Sequence, residues 1–98
     1  MAQTYPEWIW QNGSIKPWRD ATVHVMAHAL HYGSSVFEGI RSYRTADGAA
    51  IFRLTDHLTR LYHSAKIYDI KIPYTQEELT AACREVVRKN NLQQAYLR

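Results

Sequence analysis

The chain has 98 residues, a net charge of +3 and a 46% hydrophobic content, which supports one domain with a modest core. Its charges are mixed, with no Lys/Arg run of the kind that forms a nucleic-acid-binding arm. A single cysteine excludes an internal disulfide, and no apolar run reaches the length of a membrane span.

No signal-peptide pattern is read at the N-terminus, so a cytoplasmic location is the expectation. Trp8-Ile9-Trp10 and residues 14–18 flank Asn12-Gly13, a strong hairpin signal because both turn positions tolerate positive φ. Residues 23–31 are ambiguous between a short helix and a loop. Residues 34–44 read as a strand, in which Phe37, Gly39, Arg41 and Tyr43 share one face. Val36, Glu38 and Ile40 share the other. A glycine inside a strand marks either a bulge or close approach by a ligand or another backbone, and the alternation alone leaves both open.

Asp47-Gly48 is a second turn signal, and residues 49–53 read as the returning strand. Leu54, Leu58, Leu61, Ala65 and Tyr68 then recur at helical spacing. A second helix is expected after Pro73, opened by a Thr75/Glu78 capping box, with Leu79, Ala82 or Cys83, and Val86 as its buried stripe. Asn90-Asn91 ends it, and a strand begins near Gln94. Two hairpins, two helices and a further strand predict an α+β fold, a mainly antiparallel sheet with two helices packed on it.

Among candidate functional residues, Arg60 lies beside the apolar stripe of the first helix. Asp56, four positions earlier, offers it an ordinary surface salt bridge. His24, His28 and His31 would line one helical face, a spacing that can ligate zinc, but no Asp, Glu or Cys stands nearby to complete a set. They read as structural histidines with no metal expected. His57 and His63 read as helix-surface or interface residues. Cys83 reads as a small buried hydrophobe, and Glu38 as a partner for a backbone or basic group elsewhere.

Three segments carry a resemblance: VHVMAHALHYGSSVFEGIRSY (23–43), FRLTDHLTRLYHSAKI (52–67) and ACREVVRKNNLQQAYLR (82–98). In order and spacing the chain resembles the branched-chain amino-acid aminotransferases, pyridoxal-phosphate enzymes of the D-alanine aminotransferase-like fold (fold type IV). The resemblance implies that residues 1–98 form the small N-terminal domain of a longer protein. It implies amino-group transfer between leucine, isoleucine or valine and 2-oxoglutarate, with pyridoxal 5'-phosphate as cofactor. Arg60 matches the arginine that clamps the cofactor phosphate, a task suited to a planar guanidinium with paired donors.

By the same resemblance, Tyr96 bonds the substrate carboxylate, and Arg98 pairs with the distal carboxylate when glutamate is bound. Phe37 and Gly39 fit the apolar half of the pocket, Gly39 leaving room for branching, with Arg41 on the same face. Tyr32 matches a residue lent to the neighbouring subunit, which implies a homodimer or larger homo-oligomer. Neither nucleic acid nor membrane is expected as a partner. None of Lys16, Lys66, Lys71 and Lys89 matches the Schiff-base lysine, so the catalytic lysine is expected downstream and this chain alone is expected to be inactive. Residues 95–98 read as the start of a strand, in keeping with a fragment. Alternatives of the same fold are D-amino-acid or (R)-amine aminotransferases and aminodeoxychorismate lyase. A stand-alone interaction or ligand-binding domain is the non-enzyme alternative.

Overall fold

A computed structural model describes residues 5–98, so any reading of residues 1–4 lies outside the described residues. The chain opens with a hairpin of β1 (Trp8–Gln11) and β2 (Ser14–Pro17), antiparallel with Trp8 opposite Pro17 and Gln11 opposite Ser14. Asn12 (φ 51°) and Gly13 (φ 97°) make the turn, a pair of positive φ angles that twists with the strands. A 3₁₀ turn (Trp18–Asp20) follows, and then a short helix, α1 (His28–Tyr32). Gly33 ends α1 in the left-handed conformation (φ 68°), its N–H donating to the Ala29 carbonyl at 2.9 Å.

The second sheet is built from β3 (Ile40–Thr45), β4 (Gly48–Ile51) and, after two helices, β5 (Ala95–Leu97), in the order β4-β3-β5 and antiparallel throughout. The ladder therefore begins at Ile40 and not at Ser34, because β5 offers partners only for Ile40, Arg41 and Ser42, and β4 only from Ser42 on. The period-two alternation outlives the ladder: Glu38, Ile40 and Ser42 are buried while Phe37, Arg41 and Tyr43 are exposed. Only Arg41 and Tyr43 of the four expected face-sharers are strand residues; Phe37 and Gly39 lie in the extended segment leading in.

Between the strands run α2 (Leu54–Ile67) and α3 (Gln76–Lys89). The α3 N-terminus carries the expected capping box: Thr75 Oγ1 accepts from the Glu78 N–H at 3.1 Å, and the Thr75 N–H donates to Glu78 Oε1 at 3.2 Å. Ile40, Leu54 and Leu58 form the core, with Ile51, Leu61, Leu79, Cys83 and Leu97 packed against them. Tyr68 does not join this stripe: it caps the C-terminus of α2 and is exposed. On α3 the buried pair is Ala82 and Val87, with Cys83 and Val86 half-buried. Asn90 fixes the first hairpin to α3, its Oδ1 accepting from the Trp8 N–H and its Nδ2 donating to the Trp8 carbonyl, each at 3.0 Å. No helix among the described residues is long and apolar enough to cross a membrane.

Candidate functional site

The face of the β4-β3-β5 sheet that carries Arg41, Tyr43 and Tyr96 is exposed, whereas Ile40 and Ser42 point from β3 into the interior. This face gathers most of the residues singled out above. Arg41 and Tyr96 are direct cross-strand partners, so their side chains rise side by side. Two guanidinium groups lie over the Tyr96 ring, Arg41 with Cζ 5.8 Å from the ring centroid and Arg98 with Cζ 5.1 Å from it. Both are within cation–π range. The result is an amphipathic platform with two cationic heads, chemistry suited to carboxylates attached to an apolar group.

Gly39 resolves the choice that periodicity left open. It lies just ahead of the ladder, one residue before Ile40, and its backbone φ is not positive. A Cβ built there would collide with the Tyr96 hydroxyl and stand 3.0 Å from Cζ of that ring. The missing side chain thus accommodates an approaching group, and in this structure that group is the phenol of Tyr96.

Arg60 sits on α2, one turn beyond His57, and both reach Glu38. Glu38 is only 8% exposed, yet both its carboxylate oxygens are engaged. Its Oε1 accepts from Arg60 Nη2 and from His57 Nδ1, each at 2.8 Å, and its Oε2 accepts from Arg60 Nε at 2.9 Å. The two Arg60 bonds, helped by His57 and opposed by burial, hold the Glu38 carboxyl down at about 2. The carboxylate in turn raises the Arg60 pKa further above its ordinary value.

This corrects two expectations. Asp56 pairs with Arg53 at 2.7 Å and not with Arg60, because an acceptor with two oxygens aligned to the guanidinium edge lies across the interface on the segment before β3. For His57, expected at the helix surface or at an interface, the surface half of the reading falls, since its side chain is 22% exposed and bonded to Glu38. The signal for it was present: His57 and Arg60 are three apart on a helix, facing one buried carboxylate.

Arg60 nevertheless keeps its side chain 68% exposed, with both Nη1 N–H groups and one on Nη2 uncommitted to Glu38. That donor set fits a phosphate dianion, which an arginine grips with paired N–H groups. The described lysines offer no comparable cluster; Lys89 Nζ, for instance, lies 4.6 Å from the Trp8 ring centroid.

Tyr32 and Phe37 are 73% and 69% exposed. Val23, Val25, Met26 and Leu30 are exposed along the same stretch, so residues 23–37 present a large apolar surface. Of the histidines there, His24 Nδ1 accepts from the Met26 N–H at 3.0 Å, and His31 Nε2 lies 2.8 Å from the Val25 carbonyl. No group of three metal-ligating side chains is found among the described residues. Cys83 is half-buried, and burial pushes its thiol pKa up, away from nucleophilic character. A groove of about 630 Å³ between β4 and the second half of α3 is lined by Ala50, Ile51, Arg84 and Arg88 among others and shares no residue with either cluster.

Comparison with known proteins follows the same lines. The chain is 54% identical over 92 residues to the branched-chain-amino-acid aminotransferase of Escherichia coli, a match covering 94% of this chain and 30% of the relative. It is 53% identical over 90 residues to that of Pseudomonas aeruginosa, covering 92% of this chain and 29% of the relative. Among solved structures it resembles the T.th. branched-chain amino acid aminotransferase complexed with N-(5'-phosphopyridoxyl)-L-glutamate, with a TM-score of 0.93 and 51% identity over 96% of this chain and 32% of that one. It also resembles the E. coli enzyme, with a TM-score of 0.91 and 53% identity over 94% of this chain and 30% of that one. The chain therefore spans about 30% of the length of the curated relatives it matches. Residues 35–98 match the amino-transferase class IV family, and the chain belongs to it.

Proposed function

We propose that the protein carrying this chain transfers an amino group between leucine, isoleucine or valine and 2-oxoglutarate, with pyridoxal 5'-phosphate as cofactor. The observation that carries the reading is the Arg41–Tyr96–Arg98 platform on the open sheet face, in a chain 54% identical to a branched-chain-amino-acid aminotransferase. A transaminase with these substrates must admit a branched apolar side chain and an acidic one in turn. Tyr96 bonds the substrate carboxylate, Arg98 pairs with the distal carboxylate of glutamate, and Arg41 adds positive charge beside them. Phe37 and Gly39 form the apolar part.

Arg60 holds the cofactor phosphate through the N–H groups it does not give to Glu38. When bound, pyridoxal phosphate supplies the electron sink for cleavage of the Cα–H bond. The Schiff-base lysine is assigned to a domain outside residues 1–98, which act as the small N-terminal domain. The chain alone is therefore inactive. The exposed apolar stretch around Tyr32 supports a homodimer or larger homo-oligomer, in which Tyr32 reaches the neighbouring subunit's pocket.

Two measurements on the full-length protein test this. It should convert leucine plus 2-oxoglutarate when supplied with pyridoxal phosphate. Arg60→Ala should weaken cofactor retention in equilibrium dialysis more than it harms folding of the apoprotein. Unchanged cofactor affinity would remove the phosphate assignment.

A further inference from the structure

We infer that Glu38 is a positioning residue for the phosphate grip, acting through Arg60 by fixing the plane and direction of its guanidinium; the inference rests on the assignment of Arg60 to the cofactor phosphate.

Arg60 is a long side chain, mostly in solvent, and an exposed arginine ordinarily samples many rotamers. Here one edge of its head is clamped. Nε and Nη2 donate to separate oxygens of one carboxylate, at 2.9 and 2.8 Å, which sets both the position and the plane of the group. The clamp is itself rigid. Glu38 is buried, sits just before Gly39 and the core residue Ile40, and has Oε1 pinned from a second side by His57 Nδ1 at 2.8 Å. The uncommitted N–H groups of Arg60 consequently lie at the edge away from Glu38, as a preformed donor pair for an anion.

The sign of the effect separates this role from simple electrostatics. The negative charge of Glu38 opposes a phosphate nearby, so a charge-only role means that removing it strengthens phosphate binding. A positioning role means that removing it weakens binding, because the anion must then immobilise the arginine itself. Ordering one such side chain corresponds to about a 2- to 12-fold change in affinity.

The test compares pyridoxal 5'-phosphate with pyridoxal, which lacks the phosphate, in equilibrium dialysis against the full-length apoprotein. The dissociation constant of pyridoxal divided by that of pyridoxal phosphate isolates the phosphate grip. Glu38→Gln, which keeps shape and loses the charge and one acceptor, should lower the ratio about 2- to 12-fold. Glu38→Asp keeps the charge but withdraws it by one methylene, and should also lower the ratio. Neither should lower it further when combined with Arg60→Ala, since a residue acting through Arg60 has nothing left to orient.

An unchanged or increased ratio in Glu38→Gln and Glu38→Asp, while Arg60→Ala lowers it, would overturn the inference and leave the phosphate assignment intact. An unchanged ratio in Arg60→Ala would overturn the phosphate assignment, and the inference with it. Apoprotein melting curves accompany each variant. If Glu38→Gln does not fold, Glu38→Asp alone decides between the two roles.

Discussion

Gly39→Ala separates the site from the scaffold. The backbone at Gly39 does not need glycine, since its φ is not positive, so the cost of a methyl group lies entirely in what it meets. It meets the Tyr96 phenol, with Cζ only 3.0 Å away, where carbon–carbon contacts are optimal at about 3.5–4.0 Å. The hydroxyl overlaps the new methyl more deeply than Cζ does, so the ring must move by more than about 1 Å. Tyr96 is 53% exposed, so the ring tilts into solvent instead of into the core, at a cost of about 0.5–1.5 kcal/mol for a distorted rotamer.

Function is more sensitive. A misplaced phenol loses a hydrogen bond to a charged group, worth about 1.5–3 kcal/mol, or about 10- to 150-fold in kcat/KM. Both half-reactions should suffer alike, because every substrate presents the carboxylate assigned to Tyr96. The assay is stopped-flow kinetics of the leucine and glutamate half-reactions on the full-length protein, beside urea unfolding of the same variant. Tyr96→Phe should be non-additive with Gly39→Ala. Wild-type kinetics, or a stability loss of several kcal/mol, would refute the reasoning.

Arg98→Ala should slow the glutamate half-reaction more than the leucine one, and equal losses would contradict its assignment to the distal carboxylate. Asn90→Ala removes both hydrogen bonds to the Trp8 backbone and should cost about 1–3 kcal/mol in urea unfolding; a loss under about 0.5 kcal/mol would show that the hairpin docks without them. The pH dependence of stability tests the buried carboxylate. The Glu38 pKa is lowered in the fold from 4.5 to about 2, so its contribution is fully present above about pH 4.5 and is lost as pH falls towards 2. The stability difference between wild type and Glu38→Gln should be flat from pH 5 to 8 and shrink below pH 4.5. A difference that grew on acidification would reverse the sign and refute the ion pair.

Much of the architecture was legible because its signals are local. Asn12-Gly13 demanded positive φ, Thr75 and Glu78 satisfied each other's N–H groups within one turn, and the leucines of α2 repeated at helical spacing. Alternation around Gly39 correctly sorted Glu38 and Ile40 from Phe37 and Arg41. It could not say where the strand begins, because a ladder needs a partner, and β5 lies over fifty residues later in the chain.

The candidate site divides the same way. By itself, the sequence determined the first hairpin, the two long helices, the faces of the 37–43 segment and, through a resemblance covering three motifs, the family. Only the tertiary structure decided that Arg60 bonds Glu38 and not Asp56, that His57 shares that carboxylate, and that the gap at Gly39 holds the Tyr96 phenol. Each of these joins groups from elements distant in sequence, where side-chain type permits several partners and distance selects one. Arg60 was within reach of two carboxylates, and the buried one, with two oxygens aligned to the guanidinium edge, took it.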